Sequence, residues 1–166
     1  NQAINALGLL GITDYCFNDL PCGRLDQVPI IEINKLIEKT INEFSPDTVF
    51  THSALDANND HRIVHRATIM GTRPAAQHRV ARLVSYEVLS SSEWSYGEVF
   101  TPSIFERIDE HDLGRKWQAM AAYETEVKDY PFPRSEQAIR ARAMSRGIEA
   151  GVPLAEAFHL LREFKL

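Results

Sequence analysis

Segments with the period of a helix alternate with short apolar runs of β-branched and aromatic residues, and no other feature restricts the fold of this chain as much. Over residues 26–44, Val28, Ile31, Ile33, Leu36, Ile37 and Ile41 recur at helical spacing. The charges of EINKLIEKTINEF fall on the other face, which predicts a surface helix. Pro46 stops it, and TVF within SPDTVFTH has the content of a short buried strand. Helical spacing returns over residues 60–72 through Ile63, Val64, Ala67 and Met70, with Asp60 as the expected N-cap. RVARLVSYEVL reads as a strand and SSSEWSYGEVF as a loop or hairpin. Residues 110–130 and 135–150 read as two more helices, the second entered at Arg134-Ser135 and stopped by Gly151. The opening NQAINALGLLGI reads as the end of a helix and DYCFNDL as strand-like, while the closing AEAFHLLREF fits either a strand or a helix. This alternation predicts an α/β layer fold with a mostly parallel sheet, whose ligands gather beyond the carboxyl ends of strands. THSALDANNDH joins a strand to a helix and falls at such an end. A parallel unit normally opens on a strand, whereas the first element here is a helix.

The 166 residues, 44% hydrophobic and 25% charged, predict one globular domain over 1–166. A formal charge of -5 supplies no basic field for phosphate backbones, so nucleic acid is not an expected partner. No apolar run approaches the roughly 20 residues of a membrane span. The N-terminal residues lack the charged flank and cleavage site of a signal peptide, so a soluble, cytoplasmic protein is expected. Cys16 and Cys22, with five residues between them, fit neither a redox pair nor a zinc knuckle and are expected to be reduced thiols.

DANNDHRIVH, residues 56–65, concentrates the chemistry. With His52 it offers Asp56, Asp60, His61 and His65, all types that zinc accepts. His61 and His65 stand i, i+4, as in zinc proteases, but Arg62 occupies the position where those enzymes need a glutamate base, which excludes that reading. The residues alone leave two readings open: part of a metal site, or a helix start in which Asp60 caps, Asn58 and Asn59 turn the chain, and the histidines are structural.

PDTVFTH followed by DANNDHR resembles the second conserved block of the LmbE-like family of zinc-dependent sugar deacetylases, which includes N-acetylglucosaminyl-phosphatidylinositol de-N-acetylase. TRP at 72–74, SYEVLSSSEW at 85–94, VFTPSIFERID at 99–109, YPFPRS at 130–135 and RGIEAGVPLAEAF at 146–158 continue the resemblance in order, and LGI and FNDLPCGRLD resemble the segment between the family's two blocks. The resemblance implies a Rossmann-like α/β fold, Zn²⁺ as cofactor and an amino-sugar substrate. It places His61 as a metal ligand and Asp60 as the carboxylate supporting the site. Asn58 stands where many members carry a histidine that stabilises an oxyanion, and its amide can donate a hydrogen bond there. Asp56 matches the acidic residue opening the block and is a candidate substrate contact. Arg134 is another candidate, since a guanidinium suits an anionic or hydroxyl-rich ligand. His65 matches no family ligand and reads as a helix-face residue. Trp94 and Tyr96 are candidate sugar-stacking or core aromatics.

The family's other block, H-P-D-D, supplies two ligands and the general base, and the first histidine of this chain is His52. The expectation is therefore an N-terminally incomplete deacetylase domain, missing its first strand–helix unit and inactive by itself. The alternative is a non-catalytic carbohydrate-binding or assembly module of the same fold. A sheet edge left open by a missing strand would also favour a homo-oligomer.

Overall fold

The structure, a computed structural model, describes residues 1–165, which form two compact units. The first comprises residues 1–18 and 105–157 and the second residues 19–104 and 158–165.

In the second unit, a turn of 3-10 helix at Leu25–Gln27 leads into α2 (Ile30–Phe44), β1 (Thr48–His52), α3 (Asn59–Gly71) and β2 (Arg82–Tyr86). The apolar face of α2 read from the sequence packs on α3 over the 3-10 turn. Leu25, Ile33 and Ala67 are buried there, and Val28, Ile37, Ile63 and Val64 close around them. The two helices approach so closely that a Cβ on Gly71 would stand 2.9 Å from Ile37 Cγ2. β1 and β2 pair in parallel, Phe50 opposite Val84 and His52 opposite Tyr86, as expected for strands joined through one helix. Leu83 and Val84 are almost wholly buried.

The first unit holds α1 (Gln2–Leu10), α4 (Glu110–Ala121) and α5 (Glu136–Ala150). α1 closes on Gly11 in the left-handed conformation and α5 on Gly151 likewise, where a residue without a Cβ is unstrained. Ser135 caps α5 through its side chain, at the predicted entry. Gly147 cannot carry a side chain, because a Cβ would lie 2.5 Å from the Val152 carbonyl oxygen.

β3 (Ile104–Arg107) and β4 (Ala155–Glu163) complete a sheet of order β1-β2-β4-β3. The expected α/β class is present, but the sheet is not mostly parallel: β4 runs antiparallel to β2. Ser103 N–H donates to Phe158 O and Ile108 N–H to Leu154 O, and the opposed order of these bonds makes β3 and β4 antiparallel as well. The reason is one of parity. A single helix between strands returns the chain for a parallel partner, whereas the two successive helices α4 and α5 deliver β4 pointing the other way.

Local expectations also need correction. DYCFNDL forms no strand; it is exposed, and Tyr15 and Phe17 pack on each other at 5.2 Å instead. α4 ends at Ala121, before the less periodic YETEVKDY, while the ambiguous closing segment is β4. Asn58, not Asp60, is the N-cap of α3. Among the described residues no helix is long and apolar enough to cross a membrane.

Candidate active site

The site is built at the carboxyl end of β1, where the chain turns through residues 53–58 into α3. Asp56 organises the turn. Its Oδ1 accepts the Asn58 N–H at 2.8 Å, and Leu55 N–H donates to Ser53 Oγ at 3.1 Å. Asn58 Oδ1 then accepts the Asp60 N–H at 2.9 Å, capping the helix. The local sequence explains both contacts, since short Asp and Asn side chains satisfy backbone donors two residues ahead.

Asp56 is 1% exposed, and a carboxylate so buried needs partners to offset its lost hydration. Its second oxygen has two. The Ser91 hydroxyl donates to Oδ2 at 2.9 Å, and His61 Nδ1 stands 3.0 Å away. The histidine contact lies off the line of the ring N–H and acts as an electrostatic pairing rather than a directed hydrogen bond. Asp56 thus faces Ser91 and His61 from within the protein, and reaches a ligand only through His61. The His61 side chain is 22% exposed, and among the described residues its Nε2 has no protein partner. A carboxylate beside Nδ1 favours the tautomer whose Nε2 lone pair points outward, the arrangement that a metal-binding imidazole uses.

His52, at the end of β1, lies on His61: their ring centres are 4.2 Å apart and their planes 21° from parallel. The Tyr86 hydroxyl is 3.3 Å from His52 Nε2, and His65, buried on α3, donates from Nδ1 to the His52 carbonyl oxygen at 2.8 Å. Burial drives the His52 imidazole down to about 4; His61 and, more weakly, His65 add to the effect, and the Asp56 charge opposes it. Burial first, then the Asp56 charge, raises the Tyr86 phenol. His52 is therefore neutral at pH 7.

Asp60 has a different task. Its Oδ2 accepts the Gly23 N–H at 2.5 Å and its Oδ1 the Leu25 N–H at 3.1 Å, so the carboxylate fastens the loop before the 3-10 turn to the first turn of α3. Negative charge is also favourable at that helix end. Both of its oxygens are thus engaged, and the Asn58 carbonyl is engaged in the cap. Arg134 lies in the first unit, paired with Glu126 at 2.9 Å and set over the Phe132 ring. Tyr96 is 89% exposed.

The fit to a zinc ion is partial. Structural and catalytic zinc sites take at least three protein ligands, in catalytic sites together with a water. Among the described residues, no three His, Cys, Asp or Glu ligand atoms converge around His61. The one group that does converge, Asp109, His111 and Asp112, is exposed at the start of α4. There Asp109 and Asp112 already exchange N–H bonds as a capping box, which holds the Asp109 carboxyl below its ordinary range. The second unit therefore offers one well-prepared ligand nitrogen and does not by itself complete a zinc sphere.

Ser91 and Tyr86 entered no site expectation, and His52 entered only as one of several residue types that zinc accepts. Ser91 is 35 residues from Asp56 and Tyr86 is 34 from His52, so no local pattern joins them. His52 carried one weak signal, as the only histidine at the carboxyl end of the strand preceding the polar turn.

A mixed sheet with a polar turn and paired histidine rings at the carboxyl end of β1 is a fold shared with several solved structures. The conserved protein TT1542 from Thermus thermophilus is 22% identical with a TM-score of 0.77, over 99% of this chain and 73% of that one. The N,N'-diacetylchitobiose deacetylase from Pyrococcus horikoshii is 18% identical with a TM-score of 0.72, over 94% of this chain and 60% of its own length. Teicoplanin deacetylase Orf2, in a zinc-inhibited form, is 17% identical with a TM-score of 0.68, over 96% of this chain and 71% of that one. At these identities the likeness is one of fold. Residues 1–70 match the family model described as PIG-L: GlcNAc-PI de-N-acetylase, and this span contains Asp56, Asn58, Asp60 and His61. The resemblance read from the motifs is thus found in sequence and in fold. No curated protein sequence matches the chain.

Proposed function

We propose that the chain acts in a zinc-dependent N-deacetylase that removes the N-acetyl group from a GlcNAc-type sugar or sugar conjugate, with His61 as one metal ligand. The observation that carries this reading is the His61 ring, held at Nδ1 by a buried carboxylate with Nε2 open. The PIG-L match over residues 1–70 and the fold shared with the deacetylases support the substrate class. A zinc in such a site supplies Lewis acidity toward the acetyl carbonyl. The protein's own contribution is placement. Asp56, itself held by Ser91, pairs with His61 Nδ1, His65 fixes the His52 backbone, and Asp60 holds the loop at 23–25 against the start of α3. Asn58 keeps its amide N–H₂ for a ligand while its oxygen caps the helix.

The 166 residues, with a single prepared ligand, are expected to bind Zn²⁺ weakly and to release no acetate. The natural polypeptide that contains them is expected to release acetate from N-acetylglucosamine, its β-1,4 dimer or N-acetylglucosaminyl-phosphatidylinositol when supplied with Zn²⁺, and His61→Ala is expected to abolish that release. A folded, zinc-supplied natural polypeptide without activity on any of the three overturns the reading. The single prepared ligand also favours a second one, a carbohydrate-binding module without catalysis. It predicts sugar binding that EDTA leaves unchanged.

A further inference from the structure

We infer that His52 is a positioning residue for His61 rather than a second metal ligand, a stacked platform that keeps the His61 ring in one orientation. The inference deepens the reading above and rests on it for the ligand role of His61.

Coordination geometry argues first. A metal lies in the plane of an imidazole, about 2.0–2.1 Å from its nitrogen. His52 and His61 lie face to face, 4.2 Å between ring centres and 21° from parallel, so the two planes do not converge on a common point near the rings. The His52 nitrogens are also committed or closed off. Nε2 faces the Tyr86 hydroxyl at 3.3 Å, and Nδ1 is buried without a hydrogen-bond partner.

What His52 does offer is a flat, fixed surface. Its backbone is in register with Tyr86 on the neighbouring strand, its carbonyl is held by His65, and its ring also packs against Tyr86 at 5.1 Å. His61, by contrast, is held at its edge only by the off-axis pairing with Asp56. Such a pairing leaves the ring free to rotate about its χ2 bond, and the stack on His52 removes that freedom. Edge and face together place Nε2, much as partners outside the coordination sphere orient other ligand histidines.

Two measurements on the 166-residue chain test this. At pH 7.5 without metal, the ¹⁵N shifts of the His61 ring report which nitrogen carries the proton. A Zn²⁺ titration followed at the His61 ring carbon reports affinity. His52→Ala is expected to average the two His61 tautomers and to weaken Zn²⁺ binding at His61 by about 10- to 100-fold, the usual cost of losing an orienting partner. His52→Phe, which keeps a flat ring and removes both nitrogens, is expected to preserve one tautomer and most of the affinity. If His52→Phe loses Zn²⁺ as completely as His61→Ala, His52 is a ligand and the inference fails. Unchanged His61 shifts and affinity in His52→Ala overturn it as well. A parent chain whose His61 ring does not respond to Zn²⁺ refutes the metal reading instead, and the metal-free shifts still decide the role of His52.

Discussion

Removing the Asp60 carboxylate separates its role as a staple from any role in chemistry. Asp60→Ala deletes two acceptors that bind the Gly23 and Leu25 N–H groups at 2.5 and 3.1 Å. Hydrogen bonds to a charged group contribute about 1.5–3 kcal/mol each, so the gross loss is about 3–6 kcal/mol. Gly23 is exposed and its amide regains water, while Leu25 is buried and its amide regains little. Loss of a negative charge from the first turn of α3 costs a further ~0.3–1 kcal/mol. A net destabilisation of about 2–3 kcal/mol follows, which for a chain of this size lowers the melting temperature by about 5–10 °C. Asp60→Asn, retaining one acceptor oxygen, is expected to fall between. Thermal unfolding gives the global figure, and amide hydrogen exchange at Gly23 and Leu25 gives the local one, with protection of the Leu25 amide falling at least tenfold in Asp60→Ala. An alanine variant within 0.5 kcal/mol of the parent, with both amides still protected, would falsify the staple.

Other outcomes follow from the same geometry. Asp56→Asn presents an amide where Oδ2 now receives Ser91 and His61; urea denaturation should show a loss of about 2–4 kcal/mol, as expected when a buried charged partner is removed. Asn58→Ala removes only the cap and should cost about 1 kcal/mol by the same measurement, with Asn58→Asp restoring it. His52, at about 4 in the folded protein against 6.5 for an exposed histidine, is protonated first in the unfolded chain. Its stabilising contribution is complete above pH 6.5 and is lost as the pH falls toward 4. His52→Phe should flatten the slope of stability against pH in that window, and an unchanged slope would contradict the burial of His52. Gly147→Ala forces a methyl group onto the Val152 and Pro153 carbonyls and should lower stability by more than about 2 kcal/mol in a thermal melt.

What the sequence disclosed follows from the range of its signals. Helix α2 was legible because Ile33, Leu36, Ile37 and Ile41 repeat at helical spacing along one face. Helix α5 was bounded by Ser135 and Gly151, whose capping roles depend on near neighbours. The direction of β4 was not legible. It depends on how many helices intervene between strands, and the long expected helix over 110–130 hid the short β3 before it and the irregular stretch after it. Of the site, the polar turn at 56–61 was visible as composition. Its working parts join positions 34–37 residues apart: Ser91 to Asp56, Tyr86 to His52, Gly23 to Asp60. Asp60 also shows how a correct residue can carry an unexpected contact. As a candidate cap it equalled Asn58 by residue type, and only the backbone geometry before α3 assigned the cap to Asn58 and left the Asp60 carboxylate for the loop.

That carboxylate grips main-chain amides and ignores side-chain identity. The exposed positions 19, 21, 22 and 24 can therefore be rewritten, whereas Leu20 packs on the Leu25 core, neither 23 nor 25 can become proline, and the left-handed residue at 23 must stay glycine. Side chains in this strip of chain are thus free to vary while its anchor stays put.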